Sequence, residues 1–173
     1  MKRNHLVAVY DSHEEVAKAI KLLVNQAKIK QTNISIIGKG ADGEPKDTFE
    51  VQKENKDILF WGEQGALWGG ALGFLMGAFA SFIPGFGPLL AAGPVISSLA
   101  GALSGAAIIG SAAALTGWFV DIGIEEAQAH RYADLLKEGK IVLLVHSKEK
   151  GELEKAKDVL KETKTDDIKL YIK

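Results

Sequence analysis

From Gln64 to Val120 the chain carries no Asp, Glu, Lys, Arg or His, a run of fifty-seven residues with every charged side chain of the protein on one side of it or the other. Twelve of these residues are glycine and thirteen are alanine, with Leu, Ile, Phe and Val between them. A contiguous apolar surface of that size, left against water, self-associates or enters a bilayer. Whatever the flanking segments fold into, they must bring this run to another copy, to lipid or to their own core.

Spacing within the run suggests how. Gly65, Gly69, Gly73 and Gly77 recur every fourth residue, which on a helix places them along one side. Four glycines cost an isolated helix about 1 kcal/mol each relative to alanine, and close approach of a second helix offsets that cost. A matching stripe, Ser97, Gly101 and Gly105 or, one position round, Ala102, Ala106, Gly110 and Ala114, lies further along. Between the stripes, Ile83-Pro84-Gly85-Phe86-Gly87-Pro88 and Gly93-Pro94 interrupt any helix. The expectation is a helical hairpin hinged over Pro84, Gly85, Gly87, Pro88, Gly93 and Pro94. Its arms run from Ile58 to Phe82 and from Pro94 to Val120, about 37 and 40 Å long at 1.5 Å per residue, enough to cross a hydrocarbon core of about 30 Å. Trp61, Trp68 and Trp118 fall at one end of that hairpin, where aromatic anchors meet a membrane interface.

The flanks read as an α/β frame. His5 to Tyr10 is an apolar, β-branched run, a buried strand. Ser12-His13-Glu14-Glu15 has the form of a capping box, and Val16, Ala19, Ile20 and Leu23 then line one helical face. A second strand follows at Asn33–Gly38. The C-terminal flank repeats the design: strand Lys140–His146, a cap at Ser147, a helix with Leu153, Ala156, Val159 and Leu160 inward, and an alternating edge strand over Asp167–Ile172. Before it, Ile124 to Glu138 forms an amphipathic helix with Glu125 and Glu126 in its first turn and Gly139 at its stop. Two βαβ halves make a split βαβ, ferredoxin-like fold. The expected class is thus α+β, with residues 1–57 and 124–173 forming one domain and 58–123 a long Gly/Ala-rich helical hairpin inserted into it.

Little of the chain points to catalysis. Gly38-Lys39-Gly40-Ala41-Asp42-Gly43 matches the G-x-G-x-x-G spacing of a dinucleotide loop, but Glu44-Pro45-Lys46-Asp47 follows where a helix must aim its N–H groups at phosphate. His5, His13, His130 and His146 are dispersed, and the nearest carboxylate arrangement, His130 with Asp134, lacks a second ligand. With no cysteine there are no disulfides or thiolate sites. Twenty-one basic and 22 acidic residues leave a net charge of −1, so no overall field draws the chain to nucleic acid. Glu63 and Asp121 mark the two ends of the uncharged run. Leu6–Val9 is too short for the core of a signal peptide. No cofactor, metal or small-molecule substrate is expected, and no enzymatic activity.

Longer blocks carry a family likeness. Val7-Ala8-Val9-Tyr10-Asp11-Ser12-His13-Glu14-Glu15, then Trp61-Gly62-x-x-Gly65-Ala66-x-Trp68-Gly69-Gly70, Ile83-Pro84-Gly85-x-Gly87-Pro88 and Ala92-Gly93-Pro94 resemble the bacterial general-stress and low-temperature-induced proteins with a Gly-rich hydrophobic domain. The resemblance implies a prokaryotic origin, stress-linked expression and membrane association, and carries over no catalytic residues. Three functional expectations follow. The first is a non-enzymatic protein that self-assembles through the glycine stripe and is anchored in the cytoplasmic membrane, with the α+β domain in the cytoplasm. The second is a soluble homo-oligomeric particle that buries the same hairpin. The third is a regulatory module that binds a ligand on the ferredoxin-like face.

Overall fold

The computed structural model describes residues 4–39, 78–83, 87–93 and 112–172. Their framework is one mixed sheet-and-helix unit, as the α+β expectation requires. Strand β1 (Asn4–Tyr10) leads into helix α1 (His13–Asn25), a 3-10 turn (Gln31–Asn33) and β2 (Ile34–Lys39). Two further strands follow, β3 (Ala78–Ile83) and β4 (Gly87–Ala92), then helices α2 (Ala112–Asp121) and α3 (Glu126–Lys137). The chain closes with β5 (Ile141–Ser147), α4 (Lys150–Leu160) and β6 (Asp167–Tyr171).

The six strands among the described residues lie in one sheet, in the order β3-β4-β2-β5-β1-β6, and every neighbouring pair is antiparallel. Strands β1 and β5 sit near its centre and are apolar at nearly every position because both of their faces are covered. Leu6, Ala8 and Tyr10 point to one layer, where α1 and α4 supply Val16, Ile20, Leu23, Leu153 and Leu160. Val7 and Val9 point to the other, where α2 and α3 supply Leu115, Trp118, Phe119, Tyr132 and Leu136. The period-2 alternation of the strands thus divides one apolar run between two cores.

Local signals explain the ends of these elements. Ser12 is extended (φ −131°) and its hydroxyl accepts from the Glu15 N–H at 3.3 Å, so the cap falls where the S-x-x-E spacing predicts. Ser147 departs from expectation: α4 starts after Glu149, and the Ser147 hydroxyl accepts from the Glu149 N–H at 3.0 Å while donating to the Glu152 carboxylate at 2.5 Å. It still organises the helix start, from two residues before the N-cap position. Gly139, with φ 95°, ends α3 in the left-handed region.

The uncharged run departs furthest from its reading. Ala78–Phe82, expected as the end of the first helical arm, belongs to β3, and Gly87 and Pro88, expected in the hinge, belong to β4. These strands pair from Ala78↔Ala92 to Ile83↔Gly87, and β4 continues onto β2 from Ile36↔Ala92 to Lys39↔Leu89. The reason is local: Phe79, Phe82 and Ile83 favour extended backbone, and three residues containing Pro84 and Gly85 separate the two runs, which is hairpin chemistry. Gly93 closes β4 with φ 113°. A Cβ there would stand 2.4 Å from the Ile34 carbonyl oxygen, so only glycine fits.

The membrane reading falls with that correction. Among the described residues no helix is long and apolar enough to cross a membrane. The described part of the second arm is the ten-residue α2, whose apolar side packs on the domain's own sheet and on α3. Membrane anchoring, a transmembrane helix and a cytoplasmic-membrane location are therefore withdrawn. Gly65, Gly69, Gly73, Gly77, Gly101, Gly105, Gly110, Trp61, Trp68, Pro84, Gly85 and Pro94 lie outside the described residues.

Candidate functional site

Polar side chains buried inside an apolar core are the first place to look for chemistry, because each has a desolvation cost to offset. Among the described residues four of the five, all but Ser147, lie on the side of the sheet covered by α2 and α3. The β1 register sets His5 opposite His146 on β5 and opposite Tyr171 on β6. His5 and His146 are each 5% exposed. Strand alternation puts both imidazoles on the face of Val7, Leu144 and Tyr171. Ser35 on β2 shares that face with Ile37 and is fully buried, and Thr116 comes down from α2.

A hydroxyl pair closes one end of this row. Tyr132 on α3 and Tyr171 on β6 meet oxygen to oxygen at 3.0 Å in the interior. Burial pushes both phenols above the ordinary tyrosine range, and their mutual contact adds to the shift at Tyr132. Beside them the rings of Trp118 and Phe119 lie 5.0 Å apart, and those of Phe119 and Tyr132 5.7 Å apart, tilted in both cases. Imidazoles, hydroxyls and phenols are the materials of acid–base chemistry. Here they lie under two helices, and a reactant would have to displace Trp118 and Phe119 to reach them. The arrangement specifies packing.

The solvent-facing polar groups behave as structural ties. Lys140, just before β5, bonds Asp11 in the β1–α1 connection and Asp166 at 2.6 Å before β6, holding three connections together at one end of the sheet. Both carboxylates raise the Lys140 pKa. Arg131 on α3 reaches Asp167 on β6 at 3.1 Å. His130, read beside Asp134, stands instead 4.0 Å from Glu126, one turn back on the same exposed helix face. Among the described residues no three His, Cys, Asp or Glu side chains gather as a metal site.

No family model, curated protein or solved structure matches this chain. What the site is must therefore come from the geometry. Gly38, the first glycine of the nucleotide-like motif, lies within β2, paired to Ile141 on one side and Leu90 on the other. A Cβ on Gly38 would come within 3.0 Å of Ile141 Cγ1, so this glycine serves strand packing; Gly40 and Gly43 lie outside the described residues. Trp118, expected as an interfacial anchor, is a core residue at 2% exposure.

Two features escaped the sequence reading. The His5–His146 pair depends on register, and no signal short of the sheet order reveals it. The β3–β4 hairpin did leave a signal, Pro84-Gly85-x-Gly87 between two apolar runs. Among the described residues it places β3 at the end of the sheet, beside β4.

Proposed function

We propose that this chain is a non-enzymatic, self-associating protein, a homo-oligomer that buries between copies the part of its uncharged segment that its own core does not cover. The observation that carries the reading is the uncharged run itself, part of which joins the domain's sheet as β3, the outermost strand among the described residues. Natural sheet edges are blunted by charge, proline or cover, and β3 supplies neither charge nor proline.

In this reading the domain is ferredoxin-like. The order β2-β5-β1-β6, with α1 joining β1 to β2 and α4 joining β5 to β6, supports a split βαβ arrangement, to which β3 and β4 add an extension. Ligand binding on the sheet face opposite α1 and α4 is disfavoured, because Trp118, Phe119 and Tyr132 fill it. A stress-linked role, implied by the resemblance of the W-G-x-x-G-A-x-W-G-G and I-P-G-x-G-P blocks, belongs to the same proposal. Light scattering on the full chain eluting from a sizing column without detergent tests it. A discrete multiple of 18.5 kDa is expected, and a monomer at every concentration would refute self-association.

A further inference from the structure

We infer that the His5–His146 pair is an acid-sensitive clamp: the folded domain holds at most one proton between the two imidazoles, so that acid weakens the hold of the sheet on α2 and with it on the C-terminal end of the uncharged run. The inference is independent of self-association and applies equally to a monomer.

The register sets two ionisable rings against each other. His5 on β1 stands directly opposite His146 on β5, and directly opposite residues of an antiparallel pair have Cβ atoms about 5 Å apart. Strand alternation puts both on the face of Val7, Leu144 and Tyr171, and each is 5% exposed. Burial in an apolar layer disfavours the charged imidazole, and a proton on one ring disfavours a second on the other. In the unfolded chain both rings meet water and titrate near the ordinary histidine value of about 6.5.

The cover over this face comes in part from the one stretch of chain that has no carboxylate to offer. Tyr171 is the residue opposite His5 on β6. Its hydroxyl meets that of Tyr132 at 3.0 Å, the Tyr132 ring lies 5.7 Å from Phe119, and Phe119 lies 5.0 Å from Trp118. Phe119 and Trp118 belong to α2, and every residue from Gln64 to Val120 is uncharged, so nothing in that run supplies a counter-charge to an imidazolium. Among the described residues the charged groups on this side are Asp167 and Lys169 on β6, Asp121 at the end of α2, Glu125 before α3 and Arg131 within it. Asp167 is bridged to Arg131 at 3.1 Å, and Lys169 opposes a further proton. Asp121 and Glu125 are exposed, as are Glu126, His130, Asp134 and Lys137 on the outer side of α3, where water screens them. A proton bound by the unfolded chain and not by the folded one lowers stability as pH falls. The contribution of the pair is complete above about pH 7 and is lost as pH drops through about 6.5. The Glu14 and Asp158 carboxyls, which Lys18 and Lys161 hold below the ordinary range, titrate beneath this window.

Imidazole NMR titration of the full chain between pH 8 and 5.5 tests the clamp, together with urea denaturation and amide protection factors over the same range at one protein concentration. His130, with 63% of its side chain exposed, is expected to titrate freely, while His5 and His146 together take up no more than one proton as long as the domain is folded. Two protons in the unfolded chain against at most one in the folded chain make the folding constant fall about tenfold per pH unit below the histidine range. Protection at Leu115 and Phe119 in α2 should fall with it. His5→Gln and His146→Gln should each make that pH dependence shallower, whatever they cost at pH 8. The wild-type titration needs no substitution, so it decides the matter even if a variant fails to fold. Both imidazoles protonated in a domain still folded at pH 5.5 would overturn the clamp, as would a pH dependence that the variants share unchanged or α2 protection that acid leaves intact.

Discussion

Tyr132 on α3 and Tyr171 on β6 share a hydroxyl-to-hydroxyl hydrogen bond of 3.0 Å inside the core, tying the helix that covers one sheet face to the strand at its far edge. Removing one hydroxyl leaves the other buried without its partner. Tyr171→Phe or Tyr132→Phe should each destabilise by about 1–2 kcal/mol, and the double variant by less than the sum. A double-mutant cycle from urea denaturation checks the coupling.

Trp118 distinguishes a domain residue from a membrane anchor. It is buried beside Phe119 in the core that α2 and α3 form with the sheet. Trp118→Ala should cost about 3–5 kcal/mol, read as a lowered urea midpoint. An interfacial anchor would leave the stability of the α+β domain unchanged.

Gly93 and Gly117 should respond in opposite directions to the same substitution. At Gly93 an alanine meets a left-handed backbone and the Ile34 carbonyl oxygen at 2.4 Å, so Gly93→Ala should destabilise by about 3 kcal/mol. Gly117 lies within α2 with nothing within 4 Å of its would-be Cβ. Gly117→Ala should stabilise by about 1 kcal/mol, and thermal denaturation of the two variants makes the comparison.

Tyr10 sets an alkaline limit. Burial pushes its phenol up to about 12, although the Thr163 hydroxyl at 2.9 Å works the other way. A folded pKa above the unfolded value near 10 gives a contribution that is complete below pH 10 and lost as pH rises from 10 through 12. Two units correspond to about 3 kcal/mol. Tyrosinate absorbance followed with unfolding should show Tyr10 ionising late, and Tyr10→Phe should make the fall in stability between pH 10 and 12 less steep, leaving the part that Tyr132 and Tyr171 contribute.

How far the fold was legible depended on whether a residue's burial left a pattern along the chain. Val16, Ile20 and Leu23 mark α1 by their spacing, and the apolar runs of β1 and β5 mark strands covered on both faces. In the uncharged run that contrast disappears: α2 has no charged face to show which side turns inward, so its helical character was readable but its place against the sheet was not. Ala78–Ile83 follows a glycine period of four, which reads as helix, and its identity as β3 depends on pairing with residues beyond the hairpin corner. The same dependence on register hid the His5–His146 pair, whose members stand 141 positions apart in the chain.

The central claim is that the middle and the C-terminal end of the uncharged run, in β3–β4 and in α2, are parts of the α+β fold and not pieces of a separate helical hairpin. Amide hydrogen exchange on the full chain addresses it most directly. Protection at Ala91, Leu115 and Phe119 should approach that of Val7 and Leu144 in the central strands and should disappear with them in one transition as denaturant is added. Rapid exchange at those amides under native conditions, or protection lost separately from β1 and β5, would contradict it.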